Sequence, residues 1–297
     1  MEYLASIVAN FLIYALIIIS LNNFIIGKTS IWSIGHIAFF GIGALTTGIM
    51  VHDFLMPGWS AILPGLLISF FLSLFVGLST LRLSGDYFII LSIGLCEITR
   101  AVSHELKGPA GMSGIVRPTL GGMSLDNDWM FILLVILPIF IAVIVLSVRF
   151  SRSPLERICS LVRQNENAAR FMKINPLYYK VGCLCIGSLI AALTGSIHAF
   201  FARSTDPSII TLYQTVLFFS MVLFGGINSL YGSILGSLML VAVPRILEYF
   251  INSPMASSYS YQIIQLMYGF LLIFVVRFMP QGVMGGSKNW FYPQENT

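Results

Sequence analysis

Charge is what this sequence has least of. Only 9% of its 297 residues are Asp, Glu, Lys or Arg, while 57% are hydrophobic. Soluble domains carry roughly 25% charged residues. A domain of about 300 residues leaves roughly a quarter of its unfolded surface in contact with solvent. Here 16 Lys and Arg with 12 Asp and Glu are too few to clothe it, which excludes a water-soluble enzyme. Intrinsic disorder is excluded as well, because it requires low hydrophobicity with high net charge. Cysteine is scarce too. Cys96, Cys159, Cys183 and Cys185 have no CxxC spacing and read as small buried hydrophobes rather than zinc ligands. GxxxxGK[ST], HExxH and GxSxG are all missing, and His36, His52, His104 and His198 are scattered, so neither nucleotide binding nor metal catalysis has a local signature.

What is present is long apolar runs. A bilayer core of roughly 30 Å needs about 20 apolar residues per helix, and nine stretches approach that: 4–26, 30–52, 59–80, 86–103, 129–148, 181–202, 211–226, 231–250 and 261–279. Those at 86–103 and 211–226 are short enough to be broken or re-entrant. Runs such as MFILLVILPIFIAVIVLSV lack the apolar–polar alternation of a membrane strand. The expected fold is an all-α polytopic membrane protein of about nine helices, a single transmembrane domain over 1–297. The first stretch lacks a basic n-region and exceeds a signal peptide's apolar segment, so it reads as a retained span.

The basic residues set the orientation. Seven of the sixteen lie in the loop 149–180: Arg149, Arg152, Arg157, Arg163, Arg170, Lys173 and Lys180. Positive residues mark cytoplasmic loops, so this loop is placed inside, the N-terminus outside and the C-terminus inside. Lys28, Arg82, Arg277 and Lys288 then fall inside, and Asp53, Glu105, Asp126, Asp128, Asp206 and Glu248 outside. Basic residues spent this way face a lipid bilayer and leave no patch for nucleic acid. Within the loop, Leu155, Ile158 and Val162, then Ala168, Ala169 and Met172, fit helical spacing. One or two short helices outside the bilayer are expected over 154–174, ended by Asn175-Pro176. The glycine-rich external loop 104–128 reads either as a docking or gating surface or as a passive connection.

Small residues recur at helical intervals. Gly187, Ala191, Gly195 and Ala199 share one helix face, and Gly232 with Gly236 forms GxxxG; both patterns permit close helix packing in lipid. The stretch 30–48 carries Gly35, His36, Phe40, Gly41, Gly43, Thr46 and Thr47. Glycine-interrupted helices mark transport pathways, so packing and pathway roles both stay open here. Glu97 would cost about 2.5–3.5 kcal/mol facing lipid at a helix centre. It is expected to face the interior, a cavity or a partner, with Arg100 in ion-pair reach.

Six segments, in order, resemble one family: SIWSIGHIAFFGIGAL, LRLSGDYFIILSIGLCEI, GPAGMSGI, ENAARFMKINPLYYK, FGGINSLYGSILGSLML and RFMPQGVMG. Together they are similar to the membrane permease subunits of branched-chain amino acid ABC importers, in particular the member of the permease pair with the LRLxGDYF segment. The resemblance implies a bacterial inner-membrane importer. In it a second homologous permease, two cytoplasmic ATPases carrying ATP and Mg, and an extracytoplasmic solute-binding protein are the partners, and this chain binds no cofactor. The family's ATPase-docking segment has two alanines, then a glycine and Ile-Asn. Here it reads Glu166, Asn167, Ala168, Ala169, then Lys173, Ile174 and Asn175, with Lys173 in the glycine's place. The resemblance implies a coupling helix over 154–175 and no catalytic residue, and His36, Phe40, Gly43, Thr47 and Glu97 are expected near the path. Urea or short amides remain alternative cargoes. An ion-coupled secondary transporter is the alternative by class, and it would need more intramembrane charge than Glu97 supplies.

Overall fold

The computed structural model describes residues 2–80, 85–119 and 124–250, with 266, 269, 270, 273, 277 and 282–284 beyond them. The described chain is almost wholly helical. Helix α1 (Glu2–Ile19) runs through a π-helical segment (Ser20–Ile26) into a short α2 (Gly27–Thr29). Then come α3 (His36–His52), α4 (Ile62–Thr80) and α5 (Gly85–Lys107). After the external loop, α6 (Asp128–Phe131) continues by a second π segment (Ile132–Ile136) into α7 (Leu137–Ser151). Two short helices, α8 (Pro154–Gln164) and α9 (Glu166–Phe171), precede α10 (Pro176–Ala202), α11 (Leu212–Gly225) and α12 (Leu230–Phe250). The only strands among the described residues are β1 (Met112–Ser113) and β2 (Ser204–Thr205), paired antiparallel. The chain is an all-α polytopic membrane protein.

Six helices among the described residues are long and apolar enough to cross a membrane; α3 and the described start of α12 are apolar but shorter. Eight of the nine expected stretches coincide with helices, while the ninth, 261–279, falls largely outside the described residues, as do Arg82 and Lys288. The breaks lie elsewhere than expected. The stretch 86–103 is one continuous helix. Residues 30–35 are not helical: Ser30 takes a left-handed φ of 55°, and α3 starts only at His36.

Span α10 is the centre of the bundle, with 72% of its apolar window buried. It packs against α3 with almost no side chain between. A methyl placed on Gly195 would collide with the Phe40 carbonyl, and one on Gly43 with the Ala192 carbonyl. Around these glycines, Thr47 Oγ1 donates to Ser196 Oγ at 2.8 Å, and Ser196 donates to the Ala192 carbonyl at 3.0 Å. Helices α11 and α12 meet in the same way, Gly225 against the Gly232 carbonyl and Gly236 against the Met221 carbonyl. In lipid, where apolar burial drives association weakly, such close backbone packing and interhelical hydrogen bonds hold helices together.

This geometry predicts a contrast within one helix. Gly195→Val is expected to destabilise the fold by about 1–3 kcal/mol through overpacking. Gly182→Ala, whose methyl meets nothing within 4 Å, should not lower the unfolding midpoint of the detergent-solubilised protein, since alanine also favours the helix.

Candidate functional site

Among the described residues, the loop 149–180 lies with Gly27 and Lys28, while the loop after α5 lies with Asp53, Trp59 and the far end of α10. At one end stands the hairpin α8–α9. Pro154 opens α8 at its first helical position, where no amide hydrogen is needed. Asn165 separates the helices and caps α9, its Oδ1 accepting from the Asn167 and Ala168 amides at 3.0 and 3.1 Å. Asn175 caps α10, accepting from Leu177 N at 3.1 Å.

Three contacts fix the hairpin to the membrane body. Lys28, 4% exposed, pairs with Glu156 of α8 at 2.8 Å and donates to Ser151 Oγ at 3.3 Å. Arg163 donates to the Gly27 carbonyl at 2.6 Å. Lys180 of α10 pairs with Glu166 of α9. Behind α8 the Cys159 and Cys183 sulfurs share a hydrogen bond at 3.8 Å without a disulfide, and that hydrogen bond holds the Cys159 thiol below its ordinary pKa.

The hairpin's far side is open. Ala169 is fully buried beneath it, whereas Phe171 is 89% exposed and Met172 64%. Glu166, Lys173, Ile174 and Asn175 line a groove of about 570 Å³ together with Tyr178 and Lys180. Lys173 sits at the turn that ends α9. The Lys173 amide bonds to the Arg170 carbonyl at 2.9 Å and the Ile174 amide to the Ala169 carbonyl at 3.0 Å. These are the two closing bonds of a Schellman cap, whose turn residue must be left-handed. Lys173 has φ 61°, a conformation glycine adopts without a Cβ clash.

The opposite end is organised by Arg117, a residue sequence reasoning passed over. Its guanidinium is 3% exposed and pairs with Asp128 at 2.7 Å. It also donates to the carbonyls of Phe200, Leu125, Asp126 and Phe201 at 2.9 to 3.2 Å and lies over the Phe131 ring at 4.9 Å. Arg117 therefore pins the described part of the loop after α5 across the end of α10, where β1–β2 and the Trp59 indole bond to the Thr119 carbonyl also hold it. Nearby, Asp53 pairs with Lys107, which together with His52 lowers the Asp53 carboxyl below the usual aspartate value.

Between the two ends the structure separates the pathway candidates. His36, Phe40, Gly43 and Thr47 are buried where α3 meets the π segment and α10. Ser20 Oγ donates to the Ile17 carbonyl at 2.8 Å, so its oxygen accepts from His36 Nε2 at 2.8 Å. Glu97 is not with them: it stands on α5, bonded to Arg100 at 2.6 Å, with the two side chains 41% and 44% exposed. Sequence reasoning also missed Asn22. Its amide donates to the Gly226 carbonyl at 3.0 Å and Ser233 Oγ at 2.8 Å and accepts from Asn228 N at 2.9 Å. Its sequence signal is an Asn-Asn pair inside the largely apolar first span.

This layout, a glycine-packed bundle with one short-helix hairpin at one end, can be compared with known proteins. The branched-chain amino acid transport system permease component family matches residues 3–276. The chain belongs to this family. The permease is 25% identical, over 288 aligned positions, to the high-affinity branched-chain amino acid transport system permease protein LivM of Escherichia coli and to that of Salmonella typhimurium. Each alignment covers 88% of this chain and 65% of the relative. A probable branched-chain amino acid transport permease protein LivM of Methanocaldococcus jannaschii is 26% identical over 218 positions, 70% of this chain and 62% of that protein. The permease thus spans about 65% of the length of the curated relatives it matches first. No solved structure matches it at a significant level.

The cap at Lys173 gives a direct prediction. Lys173→Gly removes a left-handed side-chain penalty of about 1 kcal/mol and is expected to slow limited proteolysis at 171–175, whereas Lys173→Val should speed it.

Proposed function

We propose that this permease is the membrane subunit of an ATP-driven importer for leucine, isoleucine and valine, seated in a bacterial inner membrane with its N-terminus outside and C-terminus inside. The observation that carries the reading is the α8–α9 hairpin: rigidly latched to the bundle at Lys28, Gly27 and Lys180, yet ending in exposed Phe171 and Met172. Large apolar side chains held outward beside a polar groove form an anchor for another protein.

In this reading, ATP and Mg reside on two cytoplasmic ATPase subunits, and residues 154–175 act as the coupling helix, with Glu166, Asn167, Ala168, Ala169, Lys173, Ile174 and Asn175 at the contact. Closure of the ATPases pushes the hairpin, and the latches pass the push to α1 and α10 as a rigid-body rotation. The ATPases must bind one membrane conformation more tightly when loaded with ATP, since a ligand shifts an equilibrium only by its differential affinity. A second homologous permease completes the path, and an extracytoplasmic solute-binding protein delivers cargo to the Arg117 end. An aliphatic cargo suits walls with few fixed charges. His36, Phe40, Gly43 and Thr47 shape the α3 wall beside the path, and Glu97 stands on neighbouring α5.

The test is reconstitution of the whole transporter in vesicles. Phe171→Glu with Met172→Glu is expected to lose the ATPase subunits on purification while keeping the second permease, and to abolish ATP-dependent uptake of labelled leucine. Retention of the ATPases by that variant would overturn the coupling assignment. Uptake of urea in preference to leucine would overturn the cargo.

A further inference from the structure

All four cysteines of the chain are buried and reduced, and two of them meet across the seam between hairpin and bundle. Cys159 stands midway along α8, and Cys183 lies two turns into α10, 24 residues further on. Cys159 and Val162 are the two side chains that α8 buries, so one of its two points of close packing is a sulfur facing a sulfur. The other cysteines are placed differently: Cys185 shares a hydrogen bond with Ser73 of α4, and Cys96 lies on α5.

The pair is close to the geometry of a disulfide. Its sulfurs are 3.8 Å apart, and a bond needs about 2.05 Å. Rotation of both side chains about their Cα–Cβ bonds divides the remaining approach between them. The hydrogen bond from Cys183 lowers the pKa of the Cys159 thiol, and the Lys28 ammonium acts in the same direction. Both effects raise the share of thiolate, the form that oxidants attack. Burial selects the oxidant. Thiol–disulfide exchange requires a second sulfur to reach the first, and these sulfurs belong to residues only 2% and 3% exposed. Hydrogen peroxide is little larger than water and needs no such approach.

We propose that Cys159 and Cys183 form a peroxide-oxidised dithiol whose disulfide staples the α8–α9 hairpin to α10. The Cys159 thiolate attacks one peroxide oxygen; an S–O bond forms, the O–O bond breaks, and the departing oxygen leaves as water with the thiol's proton. The Cys183 sulfur then attacks the Cys159 sulfur of this sulfenic acid. The S–S bond forms, the S–O bond breaks, and a second water leaves with the Cys183 proton. Two thiols are oxidised to one disulfide, and one peroxide is reduced to two waters. The contacts that otherwise hold the hairpin, at Lys28, Gly27 and Lys180, are ionic or hydrogen-bonded. The staple is covalent and lies on α8 between Glu156 and Arg163. The same burial that excludes glutathione as an oxidant excludes it as a reductant, so the link persists while the hairpin stays seated. The inference concerns this chain alone and holds whatever cargo it carries.

The test treats the complete transporter in its native membrane with hydrogen peroxide, then blocks free thiols with iodoacetamide and digests with trypsin. Cleavage after Arg157, Arg163, Lys180 and Arg203 puts Cys159 in peptide 158–163 and Cys183 with Cys185 in peptide 181–203. Mass spectrometry is expected to find these two peptides joined, two hydrogens lighter than their sum, with alkylation of Cys159 lost. Cys159→Ser and Cys183→Ser should each abolish the joined species, and Cys185→Ser should retain it. Glutathione added before digestion should leave the link in the folded protein and break it once the protein is denatured. Peptide 158–163 recovered only with an alkylated thiol or a sulfinic acid would overturn the proposal, as would a joined species that survives Cys183→Ser. Release by glutathione from the folded protein would overturn the protection by burial.

Discussion

An ammonium group at the edge of a bilayer, 4% exposed, is tolerable only beside a carboxylate, and Lys28 finds one in Glu156 at 2.8 Å. Breaking such a buried pair from one side costs about 3–5 kcal/mol, because the remaining charge is stranded. The position of α8 follows from that pair. With Glu156 held, Arg163 two turns on reaches the Gly27 carbonyl, Val162 and Cys159 bury against the body, and Asn165 starts α9 at a fixed angle. A loop that composition alone would leave hanging is thereby an extension of the first span.

The connection continues inward through the π segment. A π turn widens the helix and rotates side chains relative to a regular helix. Here it presents Ser20, Asn22 and Asn23 to three different neighbours: His36 of α3, the turn between α11 and α12, and Ser147 of α7. Each contact is a buried polar one in a low-dielectric interior, where leaving a group unpaired is expensive. The glycine contacts of α10 with α3 then add the most buried helix to the same body. These contacts connect α8 to the first span, and that span to α3, α7 and the α11–α12 turn.

The apolar spans were legible in the sequence because lipid imposes length and hydropathy on every crossing helix, and the hairpin because its mixed composition stands out between them. The residues that hold these parts together were not. Lys28 registered only as a charge near a span end, since its partner lies far along the chain. Arg117 binds mostly backbone carbonyls, which carry no sequence signature. The non-helical start at 30–35 depends on the left-handed Ser30, a residue type that does not announce that conformation. Lys173 read as a departure from the expected pattern; its backbone takes the left-handed conformation that glycine adopts without a Cβ clash.

Lys28→Met and Glu156→Met, singly and together, in the reconstituted transporter test the latch most directly, with leucine taken up per ATP hydrolysed as the measurement. Each single variant is expected to lower that ratio severalfold while ATP hydrolysis continues. The double variant, which strands no charge, should recover part of it. Unchanged uptake per ATP in the Lys28→Met transporter would contradict the claim that this ion pair carries the motion of the hairpin into the membrane.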